Sequence, residues 1–435
     1  MVVNSLNKEI AKRIEIIKKC NTPIYYKKQD DFIIPNEWDI VHLGNMMDFK
    51  NGLNYGKNDI GEEIKILGVG DFKTNFYLDT NDLKKIECSN FDENYLLENG
   101  DLIFVRSNGN KELIGRVLYC DNIEEKVTYS GFTIRGRVKS NDFIDKYCAY
   151  YCSSNLVRKQ YMKNGGGTNI NNLSQGILSN IEITKPSTKE QMKMVKIIST
   201  FDRLIELKEK FLQEKQKQKK GLMERLLSGK VRLSGFNKTW NKVKINKILN
   251  VRNEKSEVTE KLELYSLTIE DGVTPKSDRY NREFLVKNDD KKYKVTKYND
   301  IVYNPANLRF GAIALNKVET SVLLSPIYET LYVQDNNKYD IDFIASILTS
   351  ERQIRKFSTM AEGTLVERMA VKIKDFTNFK INIPNDINEQ KAIAKIINTS
   401  QKEIDLLKEE IESLKEQKKG LMQLLLTGIV RVKCD

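Results

Sequence analysis

Two short polar loops hold residue types that could read a nucleic acid. The first, from Arg106 to Lys111, reads Arg-Ser-Asn-Gly-Asn-Lys and follows an apolar run typical of a strand. The second, from Tyr303 to Arg309, reads Tyr-Asn-Pro-Ala-Asn-Leu-Arg and also follows such a run. Arginine pairs with guanine and asparagine with adenine through two hydrogen bonds each, so both loops carry groups suited to sequence readout. Each loop alone is more often an ordinary turn, and the equivalence of the two favours DNA recognition.

The candidate DNA contacts are the charged, amide and hydroxyl side chains in and around these loops. In the first half of the chain they are Tyr55, Lys57, Lys73, Arg106, Ser107, Asn108, Lys111, Arg116, Arg135 and Arg137. In the second half they are Lys291, Lys292, Lys294, Tyr303, Asn304, Asn307 and Arg309. Lysine and arginine supply phosphate contacts, which position a protein on DNA without reading its sequence. The alternative for any of them is a merely solvated side chain.

The sequence shows no recognisable catalytic or metal site. The chain has one histidine, His42, which excludes serine-histidine, cysteine-histidine and histidine-based metal sites built within it. The six cysteines lack metal-ligand spacing, and no GxxxxGK[ST] phosphate loop is present. The glycines in Leu67-Gly68-Val69-Gly70-Asp71 favour a strand-to-turn element over an S-adenosylmethionine site. We therefore expect a binding protein that holds no cofactor or metal of its own.

The charge balance indicates the kind of partner. There are 72 Lys and Arg residues against 60 Asp and Glu residues, which leaves a net charge of +12. This excess favours a polyanion, with nucleic acid ahead of a membrane surface. The sequence lacks both a run of about 18 apolar residues and a signal peptide, so we expect a cytoplasmic protein without a membrane span.

The two loops recur because the chain contains one arrangement twice. Residues 190–232 and 389–431 align without a gap at an offset of 199 residues, and 19 of the 43 paired residues are identical. Both segments are rich in Lys, Glu, Gln and Leu and contain no proline. Each therefore predicts one long helix that ends at a glycine.

Apolar residues at alternating steps of three and four predict a coiled-coil seam on each helix. The seam residues are Ile198, Ile205, Leu212, Leu222 and Leu226 on the first helix and Ile397, Ile404, Leu407, Ile411, Leu414, Leu421 and Leu425 on the second. The first helix also places Lys208, Lys215 and Lys219 on its seam, which predicts weaker pairing in its middle. Neither helix can bury its stripe alone, so we expect them to pack antiparallel with the globular parts at opposite ends. Two unrelated solvated helices are the alternative.

The whole pattern predicts an α+β protein with a pseudo-two-fold internal repeat. Two similar globular domains are separated by two long antiparallel helices packed as a coiled coil. The expected boundaries are 1–30 for an N-terminal helix, 31–185 and 233–383 for the domains, and 186–232 and 384–435 for the long helical regions. In the first domain, residues 101–106, 115–120 and 131–138 predict strands, and 142–162 predict one helix. The domains diverged while the helices stayed alike, as expected of a scaffold that carries two differently specific surfaces.

With these features assembled, the chain resembles the specificity subunit of type I restriction-modification enzymes. The resemblance is carried by Gln-Lys-Lys-Gly-Leu-Met at 218–223 and 417–422, by Leu-Leu-Ser/Thr-Gly at 226–229 and 425–428, and by Glu-Gln at 190–191 and 389–390. The Gly-Thr pairs at 167–168 and 363–364 add to it. The chain departs from the family in its N-terminal helix and in the lysines of the first seam.

The resemblance implies a function without catalysis in this chain. In that family each domain reads one half of a bipartite site in double-stranded DNA. The helices set the gap between the halves and bind two DNA methyltransferase subunits, and restriction-translocase subunits join the complex. S-adenosylmethionine, ATP and magnesium are then expected on the partner subunits.

Two other classes remain open at this level. One is a stand-alone bipartite DNA-binding regulator or architectural protein, and the other is a cytoskeletal or scaffold protein whose domains bind proteins. Co-purification with an adenine methyltransferase separates the first function from both, and a salt-dependent gel shift separates these two from each other.

Overall fold

The computed structural model describes residues 2–19, 21–55, 61–73, 76–88, 91–164, 172–259, 261–276, 292–361 and 369–433. The chain forms two compact units, one made of residues 1–208 with 410–435 and the other of residues 209–409. Each unit contains one globular domain, the first half of the long helix that follows this domain, and the second half of the other long helix. The mixture of helices and sheets, with two long helices, confirms the predicted α+β class.

The two predicted long helices run from Thr188 to Leu227 and from Ile387 to Leu426. Both end before a glycine in the left-handed conformation, Gly229 at φ +70° and Gly428 at φ +71°. Glycine tolerates this conformation because it has no Cβ, so it stops each helix at low cost. The repeated Leu-Leu-Ser/Thr-Gly sequence is therefore a helix C-terminus.

In the first unit the two half-helices are antiparallel. Lys208 pairs with Glu410 at 2.8 Å, and Asp202 pairs with Lys418, so the residue number rises along one helix as it falls along the other. The seam residues of this unit are buried at Ile198, Ile411 and Leu425 and half-buried at Ile205, Leu414 and Leu421.

The second unit shows the same antiparallel pairing and explains the lysines of the first seam. Lys215 pairs with Glu403 at 2.9 Å, and Lys219 donates a hydrogen bond to the side-chain oxygen of Gln401. Each lysine stem follows the seam while its ammonium reaches a polar partner. Leu226, Ile397, Ile404 and Leu407 are buried in this unit, and Leu212 and Leu222 are half-buried.

A buried carboxylate ties three distant segments together in the first unit. Glu190, in the first turn of its long helix, accepts a hydrogen bond from the indole Nε1 of Trp38 at 3.1 Å. It also pairs with Arg431, from the tail of the other long helix, at 2.8 Å. The Arg431 guanidinium lies 5.4 Å from the centre of the Trp38 ring. We call the carboxylate, the arginine and the tryptophan of each unit an anchor.

The second unit repeats the anchor at the equivalent residues. Glu389 is fully buried and accepts hydrogen bonds from Arg232 at 2.6 and 2.7 Å and from the Trp240 indole at 3.3 Å. Glu389 lies 199 residues after its counterpart Glu190, and Arg232 lies 199 residues before its counterpart Arg431. The glutamate of each copy of the repeat thus bonds to the arginine of the other copy, which explains why both residues are present in both halves.

The glutamine that follows each anchor glutamate joins the long helix to its domain. Gln191 accepts a hydrogen bond from the Ile144 backbone N–H at 2.9 Å and donates to the carbonyl of Pro186 at 2.9 Å. Gln390 does the same with the N–H of Asp340 at 2.8 Å and the carbonyl of Pro384 at 3.0 Å. Both amides are buried, so their full hydrogen bonding matters for stability.

The first domain is built on two main sheets. Its strands are β1 (Tyr26–Gln29), β2 (Phe32–Pro35), β3 (Asp39–His42), β4 (Met47–Asn51), β5 (Glu62–Leu67), β6 (Lys84–Cys88), β7 (Leu102–Val105), β8 (Val117–Tyr119), β9 (Val127–Tyr129), β10 (Thr133–Val138) and β11 (Glu182–Lys185). An antiparallel sheet has the order β4-β10-β7-β8, and a three-stranded sheet has the order β6-β5-β9 with β5 and β9 parallel. Strand β3, near the start of the domain, pairs with its last strand, β11.

The second domain repeats the four-stranded sheet but not the other one. Its strands are β12 (Trp240–Lys244), β13 (Leu249–Val251), β14 (Lys255–Ser256), β15 (Tyr265–Thr268), β16 (Gly272–Pro275), β17 (Tyr293–Thr296), β18 (Ile301–Tyr303), β19 (Ile313–Leu315), β20 (Val322–Leu324), β21 (Glu329–Val333) and β22 (Lys380–Pro384). The order β13-β21-β18-β19 matches β4-β10-β7-β8 strand for strand. The three-stranded sheet β14-β17-β20 is antiparallel, and Leu323 of β20 also forms an isolated parallel bridge with Leu264.

Short helices cover the four-stranded sheets. They are Asp145–Cys152, Asn155–Asn164 and Gln175–Ser179 in the first domain and Ile341–Leu348, Glu351–Met360 and Ile373–Asn378 in the second. The prediction of one helix over 142–162 is wrong, because the chain turns at Ser153 and Ser154, whose hydroxyls bond to the carbonyls of Tyr150 and Tyr151. Local side-chain bonds of this kind compete with helix continuation.

The N-terminal helix runs from Val2 to Lys18 and docks beside the end of the second long helix. Arg13 donates a hydrogen bond to the carbonyl of Ile429, and its guanidinium lies 5.2 Å from the centre of the Tyr26 ring. The Tyr26 hydroxyl in turn donates to the carbonyl of Gly428 at 2.6 Å. Both carbonyls belong to the segment that follows the long helix, so these bonds hold the start of that segment against the N-terminal part of the chain.

We predict that Glu389→Ala lowers the free energy of unfolding by about 3 kcal/mol or more, because it leaves the Arg232 and Trp240 donors without their buried partner. Glu403→Ala removes an ion pair exposed to solvent in the same unit and should cost less than about 1 kcal/mol. Urea unfolding followed by circular dichroism compares the two. Equal shifts of the unfolding midpoint would show that the anchor does not stabilise the unit.

Candidate nucleic-acid interface

The two candidate loops leave equivalent strands and are held in the same way. The first loop follows β7, and the second follows β18. The carbonyl of Arg106 accepts a hydrogen bond from the N–H of Leu173 at 2.8 Å, and the carbonyl of Pro305 accepts one from Val371 at 2.9 Å. Arg106 and Pro305 are separated by the repeat offset of 199 residues. The equivalence of the loops, predicted from sequence, is thus present in the backbone.

A buried aspartate precedes each of these strands and is neutralised by an arginine from elsewhere. Asp101 accepts two hydrogen bonds from Arg137, at 2.7 and 2.8 Å, and Asp300 accepts two from Arg252, at 2.7 and 2.9 Å. These hydrogen bonds raise the pKa of both arginines. Arg137, a predicted phosphate contact, is therefore committed to holding the strand that carries the loop.

Within the first loop the asparagine carbonyls stabilise the turn. Asn108 accepts a hydrogen bond from the N–H of Asn110 at 2.7 Å, and Asn110 accepts one from Glu112 at 3.1 Å. The Arg106 guanidinium donates to the carbonyl of Gly131 at 3.3 Å. The loop is consequently preorganised, and Asn108 still has its amide N–H donors for a ligand.

Basic side chains border the first loop at the surface. Arg116 donates to the carbonyls of Phe72 and Lys73, at 3.3 and 3.4 Å, which brings Arg116 and Lys73 side by side. Lys73, Lys111 and Arg116 are all exposed. These three cations form one surface that phosphate oxygens could contact.

The second loop places an arginine against an aromatic ring. Asn304 accepts a hydrogen bond from the N–H of Ala306 at 3.1 Å, and Asn307 is exposed at the start of a short 3-10 turn. The guanidinium of Arg309 lies 4.5 Å from the centre of the Phe310 ring and donates to the sulfur of Met369 at 3.3 Å. Stacking of this kind orients a guanidinium for paired hydrogen bonds.

Three predicted contacts are corrected by their burial. Tyr303 is fully buried and stacks on Phe376 with ring centres 4.4 Å apart, and burial raises the pKa of its hydroxyl. Arg135 is 8% exposed and donates to the carbonyl of Asn94 at 3.0 Å. Lys294 is buried and forms an ion pair with Glu329. The alternation of polar and apolar residues along the strands did not show that these three side chains face the core.

The other candidates are either surface residues or cannot be placed. Tyr55 and Lys292 are exposed, and Ser107 is half-buried. Lys57 and Lys291 lie outside the described residues, as do the Gly-Thr pairs at 167–168 and 363–364.

Sequence reasoning missed two exposed aromatic side chains beside the loops. Phe132 is 64% exposed, and its carbonyl accepts a hydrogen bond from the N–H of Arg106 at 2.8 Å. Phe310 is 59% exposed next to Arg309. Each phenylalanine adjoins a glycine in a polar loop, which is the signal that could have identified it.

Two further kinds of site are absent from the described parts of the chain. Among these residues, no group of three His, Cys, Asp or Glu side chains is placed to bind a metal ion. No helix there is both long enough and apolar enough to cross a bilayer.

Comparisons with known proteins agree on one family. Two specificity subunits of Methanocaldococcus jannaschii are similar over 434 aligned residues. The MjaVIII type I restriction enzyme subunit is 25% identical, with 94% of this chain and 96% of that protein covered. The putative MjaX subunit is 28% identical, with 94% and 97% covered.

Solved structures show the same fold at low sequence identity. The S subunit of a type I restriction-modification system from M. genitalium is 15% identical, with a TM-score of 0.53 and 93% of this chain and 99% of that chain covered. A chain from a structure on complex assembly and conformational transition of the type I system is 14% identical, also with a TM-score of 0.53, over 91% and 99%. The model of the type I restriction modification DNA specificity domain matches residues 35–215 and 237–416. Because these two matches cover most of the chain, the protein belongs to the family of type I restriction-modification specificity subunits.

Proposed function

We propose that this chain is the non-catalytic subunit that chooses the DNA site of a type I restriction-modification assembly. Each domain reads one half of a bipartite site through its loop, and the paired helices set the spacing and dock methyltransferase subunits. Methylation and cleavage then take place on partner subunits, which supply S-adenosylmethionine, ATP and magnesium.

The observation that supports this proposal is that the two loops share one backbone arrangement and differ in their side chains. The two loops leave equivalent strands, β7 and β18, of equivalent four-stranded sheets and are fixed by equivalent backbone hydrogen bonds. Most of their side chains differ, since Arg106 corresponds to Pro305 and Asn110 to Arg309, whereas Asn108 and Asn307 are the same. A common backbone that presents different hydrogen-bonding groups is suited to reading two different half-sites.

An exposed apolar stripe supports docking of a protein partner. In the first unit Ile197, Leu204 and Leu207 are exposed on the first long helix. Their steps of seven and three residues place them on one face, apart from the seam residue Ile198. Contiguous exposed apolar side chains on a helix mark a protein interaction site. We assign this stripe to a methyltransferase subunit.

We expect Arg309→Ala to relax discrimination by about 1–3 kcal/mol at a single half-site, because one domain reads each half. Asn108→Ala, in the other domain, should relax only the other half. Sequencing of modified adenines in DNA from cells that carry the variant with its methyltransferase partner measures both. Loss of specificity at both halves from either single substitution would contradict the division between domains.

Exposed and buried basic residues should differ in how they affect DNA binding. Lys111→Ala removes a surface cation, so the slope of log affinity against log salt concentration should fall by about 0.9. Arg135→Met leaves that slope unchanged and lowers the melting temperature, because its carbonyl partners lose their donor. Gel shifts at several salt concentrations and thermal denaturation make the comparison. A reduced salt slope for Arg135→Met would show that Arg135 contacts DNA phosphates.

The spacing role is tested by shortening both helices together. Deletion of residues 208–214 and 406–412 keeps the antiparallel pairing on either side and removes about 10.5 Å of helix. We expect the gap of the preferred site to shorten by about three base pairs, given a duplex rise of about 3.4 Å. Adenine mapping reports the gap, and an unchanged gap in a folded, active variant would exclude the helices as its determinant.

A further inference from the structure

The second unit contains a cleft that its role in DNA recognition does not explain. It has a volume of about 720 Å³ and lies between the two long half-helices and the domain helix Glu351–Met360. Clefts of this size are typical of small-ligand sites. Its lining comes entirely from residues 209–409.

The cleft carries a large excess of positive charge. One of its three carboxylates, Glu351, pairs with Lys220 at 2.7 Å and also with Arg355. The remaining carboxylates are Glu224 and Glu270. Against them stand six cations, Lys219, Lys242, Arg352, Lys356, Lys380 and Lys408. Within the described part of the chain, none of these six forms a salt bridge.

Within each wall of the cleft, neighbouring cations repel one another. On the helix side, burial lowers the pKa of Lys219; Asp405 opposes this shift, and the neighbouring Lys408 adds to it. On the domain side, burial and the nearby Arg352 and Lys242 lower the pKa of Lys356. Lysines whose charge is disfavoured in this way gain stability when an anion lies between them.

A buried side-chain amide and the N-terminus of a helix also face the cleft. Gln353 is only 5% exposed and lines the cleft, yet its Nε2 amide has no hydrogen-bond partner among the described residues. Ser350 caps the start of the ten-residue helix, so the positive end of that helix is directed to the same place. A buried amide donor without an acceptor is uncommon in a native protein and indicates an absent ligand.

We propose that this cleft binds a compact oligophosphate, of the kind that a nucleoside triphosphate carries, with Arg352, Lys356 and Lys219 as its principal contacts. A compact anion of several charges can reach both walls at once. Duplex DNA presents its phosphates along a convex surface and suits this concave site less well. None of the residues that line the cleft belongs to a proposed DNA-reading loop, although the helix Glu351–Met360 packs against the end of the second loop at Leu308–Phe310. Tripolyphosphate binding can therefore be measured without relying on the proposed function.

Titration calorimetry of the full-length chain with sodium tripolyphosphate tests the proposal. Arg352→Gln and Lys356→Gln should each weaken binding by about tenfold, the usual effect of losing one hydrogen bond to a charged group. Lys374→Gln is the control, because Lys374 is an exposed cation of the same domain that does not line the cleft. Glu351→Gln should tighten binding, because it removes a competing carboxylate. Unchanged circular dichroism shows that each variant is folded.

Competing ligands identify which part of a nucleotide is recognised. ATP should displace tripolyphosphate, and adenosine should not. The proposal is overturned if tripolyphosphate gives no binding at millimolar concentration, if Arg352→Gln and wild type bind it equally, or if adenosine competes as well as ATP. It is also overturned if Arg352→Gln weakens binding of a duplex DNA while leaving tripolyphosphate affinity intact.

Discussion

The structure depends on a buried glutamate that is neutralised by an arginine from far along the chain. Glu190 bonds to Arg431 and Trp38, and Glu389 bonds to Arg232 and Trp240. A carboxylate buried without a cation would be strongly destabilising, so each domain requires the tail of the other long helix to be in place. This requirement explains why the helices and their ends remained similar while the domains diverged. Each anchor glutamate bonds to the arginine of the other copy of the repeat, so both residues are retained in both copies.

The long helices combine an apolar seam with polar pairs that specify their alignment. Leucine and isoleucine alone would allow the helices to slide by a heptad. Lys208 with Glu410 in the first unit and Lys215 with Glu403 in the second can form at one alignment only. Polar groups at seam positions fix register in coiled coils at some cost in stability. The lysines that predicted a weak seam are therefore the residues that make the pairing specific.

Each candidate DNA-reading loop extends from a rigid frame. A buried aspartate and its arginine hold the start of the central strand, and a backbone hydrogen bond holds the loop. Beyond this frame the domains diverge, most clearly in the three-stranded sheets, which have the order β6-β5-β9 in the first domain and β14-β17-β20 in the second. Under the proposed function, a fixed frame would limit the entropy lost when a loop binds DNA, and variation of the loop residues would allow a new sequence to be read.

The amino-acid sequence by itself determined the repeat, the two long helices, the glycines that end them and the equivalence of the two loops. These features are local or periodic, so residue type and spacing are sufficient to predict them. Only the tertiary structure decided which arginines are available, because Arg116 and Arg135 are alike in sequence and differ in what covers them. It also placed Tyr303 in the core, broke the helix at Ser153 and gathered the lysines of the cleft from segments more than 100 residues apart. Burial and ion pairing depend on contacts between distant segments, and residue spacing carries no information about those contacts.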